Sequence, residues 1–129
     1  TIFSDEGAPP SVAAAALFAW GDARIDEPAA DSARALENYA QAIPAFTRIT
    51  QKFPSDERVA PAFGRLGDCY FQLGARDPKN YDSALDAYRR CLEHPQADAA
   101  TRAQAGVGLG LVYERQAALK PTAEQPPLL

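Results

Sequence analysis

The chain contains a single histidine and two cysteines among its 129 residues, so it has few of the side chains on which catalysis and metal binding depend. His94 lies near the predicted end of a helix, where the helix dipole favours a cation, and it is interpreted as a capping residue rather than a general base. Because the sequence has no second histidine, it offers no other Ser-His-Asp catalytic set. The glycines of GVGLG at 106–110 fall inside a predicted helix instead of a phosphate-binding loop. The sequence therefore predicts no enzyme and no cofactor.

The two cysteines, Cys69 and Cys91, have neither the spacing of metal ligands nor that of a C-x-x-C redox motif. We interpret them as small, buried packing residues, and we predict no metal site. Because they fall on facing helices of one predicted hairpin, a disulfide in an oxidising compartment is the alternative. The separation of their Cα atoms would decide between the two.

Basic residues are also in the minority, with 13 Lys and Arg against 17 Asp and Glu, a net charge of −4 and a pI near 4.9. Nucleic acid is therefore excluded as the main partner, because phosphate binding requires a basic stripe. No run approaches the roughly 18 apolar residues of a membrane span, so we expect no membrane insertion of this segment.

Abundant alanine, a hydrophobic share of 47% and prolines grouped between periodic segments predict an all-α domain with five main helices. The first is expected from Ser11, as its N-cap, to Arg24. Pro44 interrupts the second, so either a helical turn over 32–38 leads into a regular helix from about 39, which we prefer, or one longer helix kinks at Pro44. The other helices are expected at about 58–73, at 81–93 and from 97 or 98 to about 118–120.

The chain divides into an irregular lead-in at 1–10, a helical domain at 11–119 and a proline-rich tail at 120–129. Within the domain the spacing is regular: Gly21 to Gly67 is 46 positions and Ala42 to Ala84 is 42. Repeats of this length are typical of stacked helix pairs, which build a curved recognition surface. The domain is therefore divided into repeats at about 11–54, 57–95 and 97–119, the last incomplete. Its fifth helix has no following partner and should expose an apolar strip.

The middle repeat resembles the tetratricopeptide repeat family. The first helix of that family's motif is matched here by Phe63, Leu66, Gly67 and Tyr70, and its second helix by Tyr81, Ala84 and Tyr88. The first repeat matches at Leu17, Trp20, Gly21, Tyr39, Ala42, Phe46 and Pro54, and the third at Leu109, Gly110 and Tyr113. The resemblance implies a right-handed α-solenoid of about two and a half repeats, in which these residues pack helices together.

The resemblance also implies a function and a site. In this family the first helices of successive hairpins line a concave surface that binds a peptide or a partner protein. The positions implied here are Phe18, Asp22, Ile25, Asp68, Phe71, Val107, Leu111 and Glu114. Their mixture of acidic and apolar groups suits a partner with apolar anchors and some positive charge.

Two features of the sequence refine the expected partner and setting. Gly64 and Asp68 stand where a carboxylate clamp would need Lys and Asn, so capture of a chaperone C-terminus is disfavoured. The hairpin turns are longer than the family pattern, as in repeats of bacterial envelope adaptors, and we expect a fragment of a longer bacterial protein in the periplasm or envelope. The alternative function is a self-assembly or spacer module that associates through the fifth helix.

Overall fold

The computed structural model describes residues 9–120, which form five α-helices and no strand. These are α1 (Pro10–Asp26), α2 (Ser32–Lys52), α3 (Val59–Leu73), α4 (Lys79–Glu93) and α5 (Ala99–Leu119). The predicted all-α fold with five main helices is confirmed. Residues 1–8 of the predicted lead-in and residues 121–129 of the predicted tail lie outside the described residues.

Each helix packs against the next one in the chain, and α3 also packs against α5. Short loops join the helices, so neighbours run antiparallel and form the hairpins α1–α2 and α3–α4, followed by α5. Stacking of the hairpins produces the predicted helical-repeat solenoid. None of the five helices has the length and apolar character that a membrane crossing requires.

The N-cap predicted for α1 is wrong. The helix begins at Pro10, Pro9 is the N-cap residue, and no side chain caps the helix end. Proline suits the first helical position because the N–H that it lacks would have no partner there and its φ is already helical. Ser11 therefore lies within the first turn.

The preferred interpretation of the second helix is also wrong, because α2 is one helix from Ser32 to Lys52 with Pro44 inside it. The Asp31 carboxylate starts the helix by accepting a hydrogen bond of 2.8 Å from the backbone N–H of Arg34. Pro44 is exposed, while residues on the opposite face are buried in the core. Burial of that face outweighs the one helical hydrogen bond that the proline removes.

One contact recurs in both hairpins. The ring of Phe46 on α2 lies against Gly21 of α1, and the ring of Tyr88 on α4 lies against Gly67 of α3. A methyl group added at either glycine would lie 2.5 Å from the facing ring. We call this the ring-on-glycine contact. It lets the paired helices approach closely. Ala42 and Ala84 lie four residues before the two rings, and these small, fully buried residues also allow the close approach.

Both cysteines are free, buried thiols. Cys69 packs in the core cluster formed mainly by α1, α2 and α3, and Cys91 in the cluster formed by α4 and α5. Burial raises the pKa of the Cys69 thiol to about 12 and also raises the pKa of Cys91. The packing interpretation fits this arrangement of two free thiols in different core clusters.

The third repeat differs from the other two because no helix of residues 9–120 covers the far side of α5. Gly110, which matches Gly21 and Gly67 in the motif, is exposed and has no atom of another helix within 4 Å of a Cβ placed on it. Tyr113 is 46% exposed. The packing role that the resemblance implies is therefore not realised for Gly110 within the described residues, whereas the Tyr113 hydroxyl accepts a hydrogen bond from the Arg89 side chain of α4.

Candidate concave groove

A groove of about 470 Å³ runs across α1, α3 and α5, which are the first helices of the successive repeats. Tyr39 of α2 and Tyr88 of α4 also reach it. The residues that line this concave groove are Asp22, Ile25, Asp26, Tyr39, Arg65, Asp68, Phe71, Gln72, Tyr88, Gln104, Val107, Gly108 and Leu111. Because each helix contributes every third or fourth residue to the groove, the lining follows directly from helical periodicity.

The apolar part of the groove is formed by Ile25, Phe71, Val107 and Leu111. Val107 is 66% exposed and Leu111 is 43% exposed, so this surface is open to solvent. The guanidinium of Arg115 lies 5.5 Å from the centre of the Phe71 ring. Large exposed apolar side chains beside an aromatic ring are typical of a binding surface.

The polar part of the groove begins with an ion pair between two repeats. Arg65 Nε of α3 donates a hydrogen bond of 2.7 Å to the Asp22 carboxylate of α1. The Arg65 guanidinium also lies 5.4 Å from the centre of the Phe18 ring, which in turn meets Phe46 edge to face at 5.4 Å. Phe18 is therefore part of the support beneath Arg65, and it does not line the groove.

Asp68 and Tyr88 form the second polar contact. The Tyr88 hydroxyl donates a hydrogen bond of 2.5 Å to the Asp68 carboxylate. Although Asp68 is exposed to the groove, the surrounding walls desolvate it, and this desolvation raises its pKa against the lowering effects of Tyr88 and Arg65. Burial, together with the Asp68 contact, raises the pKa of Tyr88.

Six of the eight positions implied for partner binding line one groove: Asp22, Ile25, Asp68, Phe71, Val107 and Leu111. Phe18 lies beneath it, and Glu114 is exposed on α5 without lining it. Sequence reasoning missed several lining residues. Asp26 and Gln72 follow Asp22 and Asp68 by four positions, so helical spacing from residues already chosen could have found both.

The remaining motif residues occupy the spaces between helices to different extents. Leu66, Tyr81, Tyr88 and Phe46 are buried. Trp20, Tyr39, Phe63, Tyr70 and Leu109 are partly buried, and Pro54 is exposed at the turn after α2. Tyr39 and Tyr88 were expected only to pack helices, and they line the groove as well.

His94 is the C-cap residue of α4, and its Nδ1 accepts a hydrogen bond of 3.2 Å from the backbone N–H of Gln96. Between residues 9 and 120, no three His, Cys, Asp or Glu side chains come together in a way that could hold a metal ion.

In a comparison with protein-family models, the tetratricopeptide repeat model matches residues 29–56 and 64–97 of this sequence. The first match covers α2 and the turn after it, and the second covers most of α3 and all of α4. The chain belongs to the tetratricopeptide repeat family. Repeats of this family generally mediate protein–protein interactions and are typically non-enzymatic scaffolds, so the concave groove is the natural candidate site of this tetratricopeptide protein. Comparisons with curated proteins and with solved structures gave no match.

Proposed function

We propose that the chain is an interaction scaffold whose concave groove binds an extended segment of a partner protein. One observation carries the proposal: a single open groove combines four apolar side chains with three carboxylates, those of Asp22, Asp26 and Asp68, and one guanidinium, that of Arg65. The Arg65–Asp22 ion pair, the Phe18 ring beneath Arg65 and the hydrogen bond from Tyr88 to Asp68 hold three of these charged groups, so the surface is largely preformed.

The charges indicate the chemistry of the segment. Arg65 is engaged by Asp22, whereas Asp26 is exposed at the edge of the groove. A Lys or Arg side chain of the partner would meet a negative field there, which favours encounter and orientation. Apolar side chains on either side of it would contact Phe71, Val107 and Leu111. The preferred partner segment is therefore basic with apolar anchors.

Selection from a random peptide library displayed on phage tests this proposal. We expect the selected peptides to be enriched in Lys and Arg next to Leu, Ile or Phe, and their binding to weaken as salt is raised. The variant Val107→Arg places a cation in the apolar wall and should weaken the selected peptides at least about 10-fold, because it adds repulsion and removes apolar contact.

Val12→Arg is the matched control, because Val12 is 56% exposed on α1 and does not line the groove. It should leave binding unchanged. Enrichment of acidic peptides, or equal losses in the two variants, would contradict the proposed function. The location in a bacterial envelope remains a separate proposal that this experiment does not address.

A further inference from the structure

A side pocket of about 130 Å³ opens off the concave groove between α3 and α5. The residues that line this side pocket are Pro61, Gly64, Arg65, Asp68, Tyr88, Thr101, Gln104 and Ala105. Arg65, Asp68, Tyr88 and Gln104 also line the groove, so the two spaces share a rim. The volume is that of about four water molecules at roughly 30 Å³ each, so the side pocket has room for one side chain of medium length.

The side pocket exists because Gly64 has no side chain. At Gly67, three positions later, an added Cβ would lie 2.5 Å from the Tyr88 ring, so a close helix contact requires that glycine. A Cβ added at Gly64 would lie 3.6 Å from Cys91 Sγ, which is an ordinary van der Waals contact, and within 4 Å of no other helix atom among residues 9–120. Helix packing therefore does not require a glycine at position 64, and the missing side chain leaves space between α3 and α5.

The rim of the side pocket carries one carboxylate and one guanidinium, so the two charges balance. The Tyr88 hydroxyl donates a hydrogen bond of 2.5 Å to Asp68, and Arg65 donates one of 2.7 Å to Asp22. Desolvation by the surrounding walls raises the pKa of Asp68 against the lowering effects of Tyr88 and Arg65. A cation in the pocket would be attracted by Asp68 and repelled by Arg65, and an anion would meet the reverse. Such desolvated surroundings favour a neutral polar side chain over a charged one.

We propose that the side pocket binds a carboxamide side chain, that of Asn or Gln, of the partner segment. A carboxamide has both N–H donors and a carbonyl acceptor. Its N–H group can donate to the Asp68 carboxylate, which has a second oxygen beside the one that Tyr88 contacts, and its carbonyl can accept from the Gln104 side chain. This inference rests on the proposed function, and it adds a neutral polar anchor to the basic and apolar side chains that the groove selects.

The peptides selected from the phage library give the first test. We expect them to share an Asn or Gln at a fixed distance from the basic residue. In a synthetic peptide, replacement of this amide by the matching carboxylate, that of Asp or Glu, should weaken binding at least about 10-fold. Binding peptides that share no carboxamide, or that carry a second Lys or Arg in its place, would overturn the inference and leave the proposed function standing.

The variant Gly64→Leu fills the side pocket and locates the amide. With the wild-type chain, replacement of the peptide's Asn or Gln by Ala should weaken binding at least about 10-fold. Gly64→Leu should bind the original peptide at least about 10-fold more weakly, and the Ala replacement should then cost nothing further, because the space is already occupied. An equal cost of the Ala replacement in both chains would place the amide outside the side pocket and overturn the inference.

Gly110→Leu is the matched control, because Gly110 is an exposed helical glycine that lines neither the groove nor the side pocket. It should leave the affinities for both peptides unchanged. Circular dichroism checks that Gly64→Leu is folded.

Gln104→Leu gives a second test at an exposed position, where the fold is not at risk. It removes the donor for the amide carbonyl, so it should weaken the original peptide more than the peptide with Ala. Equal weakening of the two peptides would overturn the inference. A library that yields no binding peptide would contradict the proposed function, and the inference would fall with it.

Discussion

The two hairpins use the same contact with different rings. In α1–α2 the ring is Phe46, which is fully buried and purely apolar. In α3–α4 it is Tyr88, whose hydroxyl reaches the concave groove and donates a hydrogen bond to Asp68. Tyr88 also lies against Gly108 of α5, so one side chain joins its own hairpin to the next repeat and to the groove.

The difference shows how one packing position can acquire a second role. Both rings pack between two closely spaced helices, but only Tyr88 adds a polar atom at the groove surface. The third repeat extends the series, because Gly110 has no ring at all within the described residues. Gly21 thus has an apolar ring contact, Gly67 has a ring contact that is linked to the groove, and Gly110 has no ring contact within the described residues.

The largest effect should come from removing the apolar ring. Phe46→Ala should lower the free energy of unfolding by about 3–5 kcal/mol, because the cavity left between α1 and α2 cannot collapse fully. Chemical denaturation followed by circular dichroism measures the change. Val12→Ala, at an exposed position of α1, should stay within about 0.5 kcal/mol. A similar loss of unfolding free energy in both variants would show that the Phe46 ring stabilises the fold no more than an exposed side chain does.

The next effect compares a closed glycine with an open one. Gly67→Leu should lower the free energy of unfolding by about 1–3 kcal/mol, because the side chain would overlap the Tyr88 ring. Gly110→Leu should lose nothing and gain about 0.5–1 kcal/mol from higher helix propensity. Melting temperatures should be measured at low concentration, where self-association does not contribute. Equal melting temperatures for the two variants would contradict the prediction that Gly67 lies in a close helix contact.

Much of this architecture could be predicted from the sequence because its signals are local or periodic. The spacing from Gly21 to Gly67 and from Ala42 to Ala84 indicated both hairpins, and the family resemblance implied eight site positions, of which six line one groove. The preferred prediction starts the regular part of α2 too late, because Pro44 is a strong local signal, whereas the Asp31 cap and the buried face together maintain the helix from Ser32. Local propensity cannot measure the burial that overrides it.

The polar contacts of the groove were harder to predict because they join residues far apart in sequence. Arg65 and Asp22 are separated by 43 positions, and Tyr88 and Asp68 by 20. Arg65 and Asp22 meet only after the two hairpins have stacked, and Tyr88 and Asp68 meet only after α3 and α4 have paired. The motif marked Tyr88 as a packing residue, and nothing in it indicated where the hydroxyl would point.

The smallest effect concerns the contact between the Tyr88 hydroxyl and the Asp68 carboxylate, which the Phe46 ring of the first hairpin cannot make. Desolvation raises the pKa of Asp68 in the folded chain, so between its ordinary value and the raised value the folded state binds more protons than the unfolded state. The contribution of Asp68 to stability therefore falls as pH rises through this window. Asp68→Asn should remove that fall, with a change at neutral pH below about 1 kcal/mol, because the group is exposed to solvent.

Tyr88→Phe should act in the opposite direction. It removes the hydrogen bond that lowers the pKa of Asp68, so the pKa should rise further and the fall in stability should extend to higher pH. Unfolding curves of the two variants and the wild type from pH 4 to pH 8 measure both changes. If both variants shift the pH profile in the same direction, Tyr88 does not act through the Asp68 carboxylate, and the second ring would then be only a packing residue like Phe46.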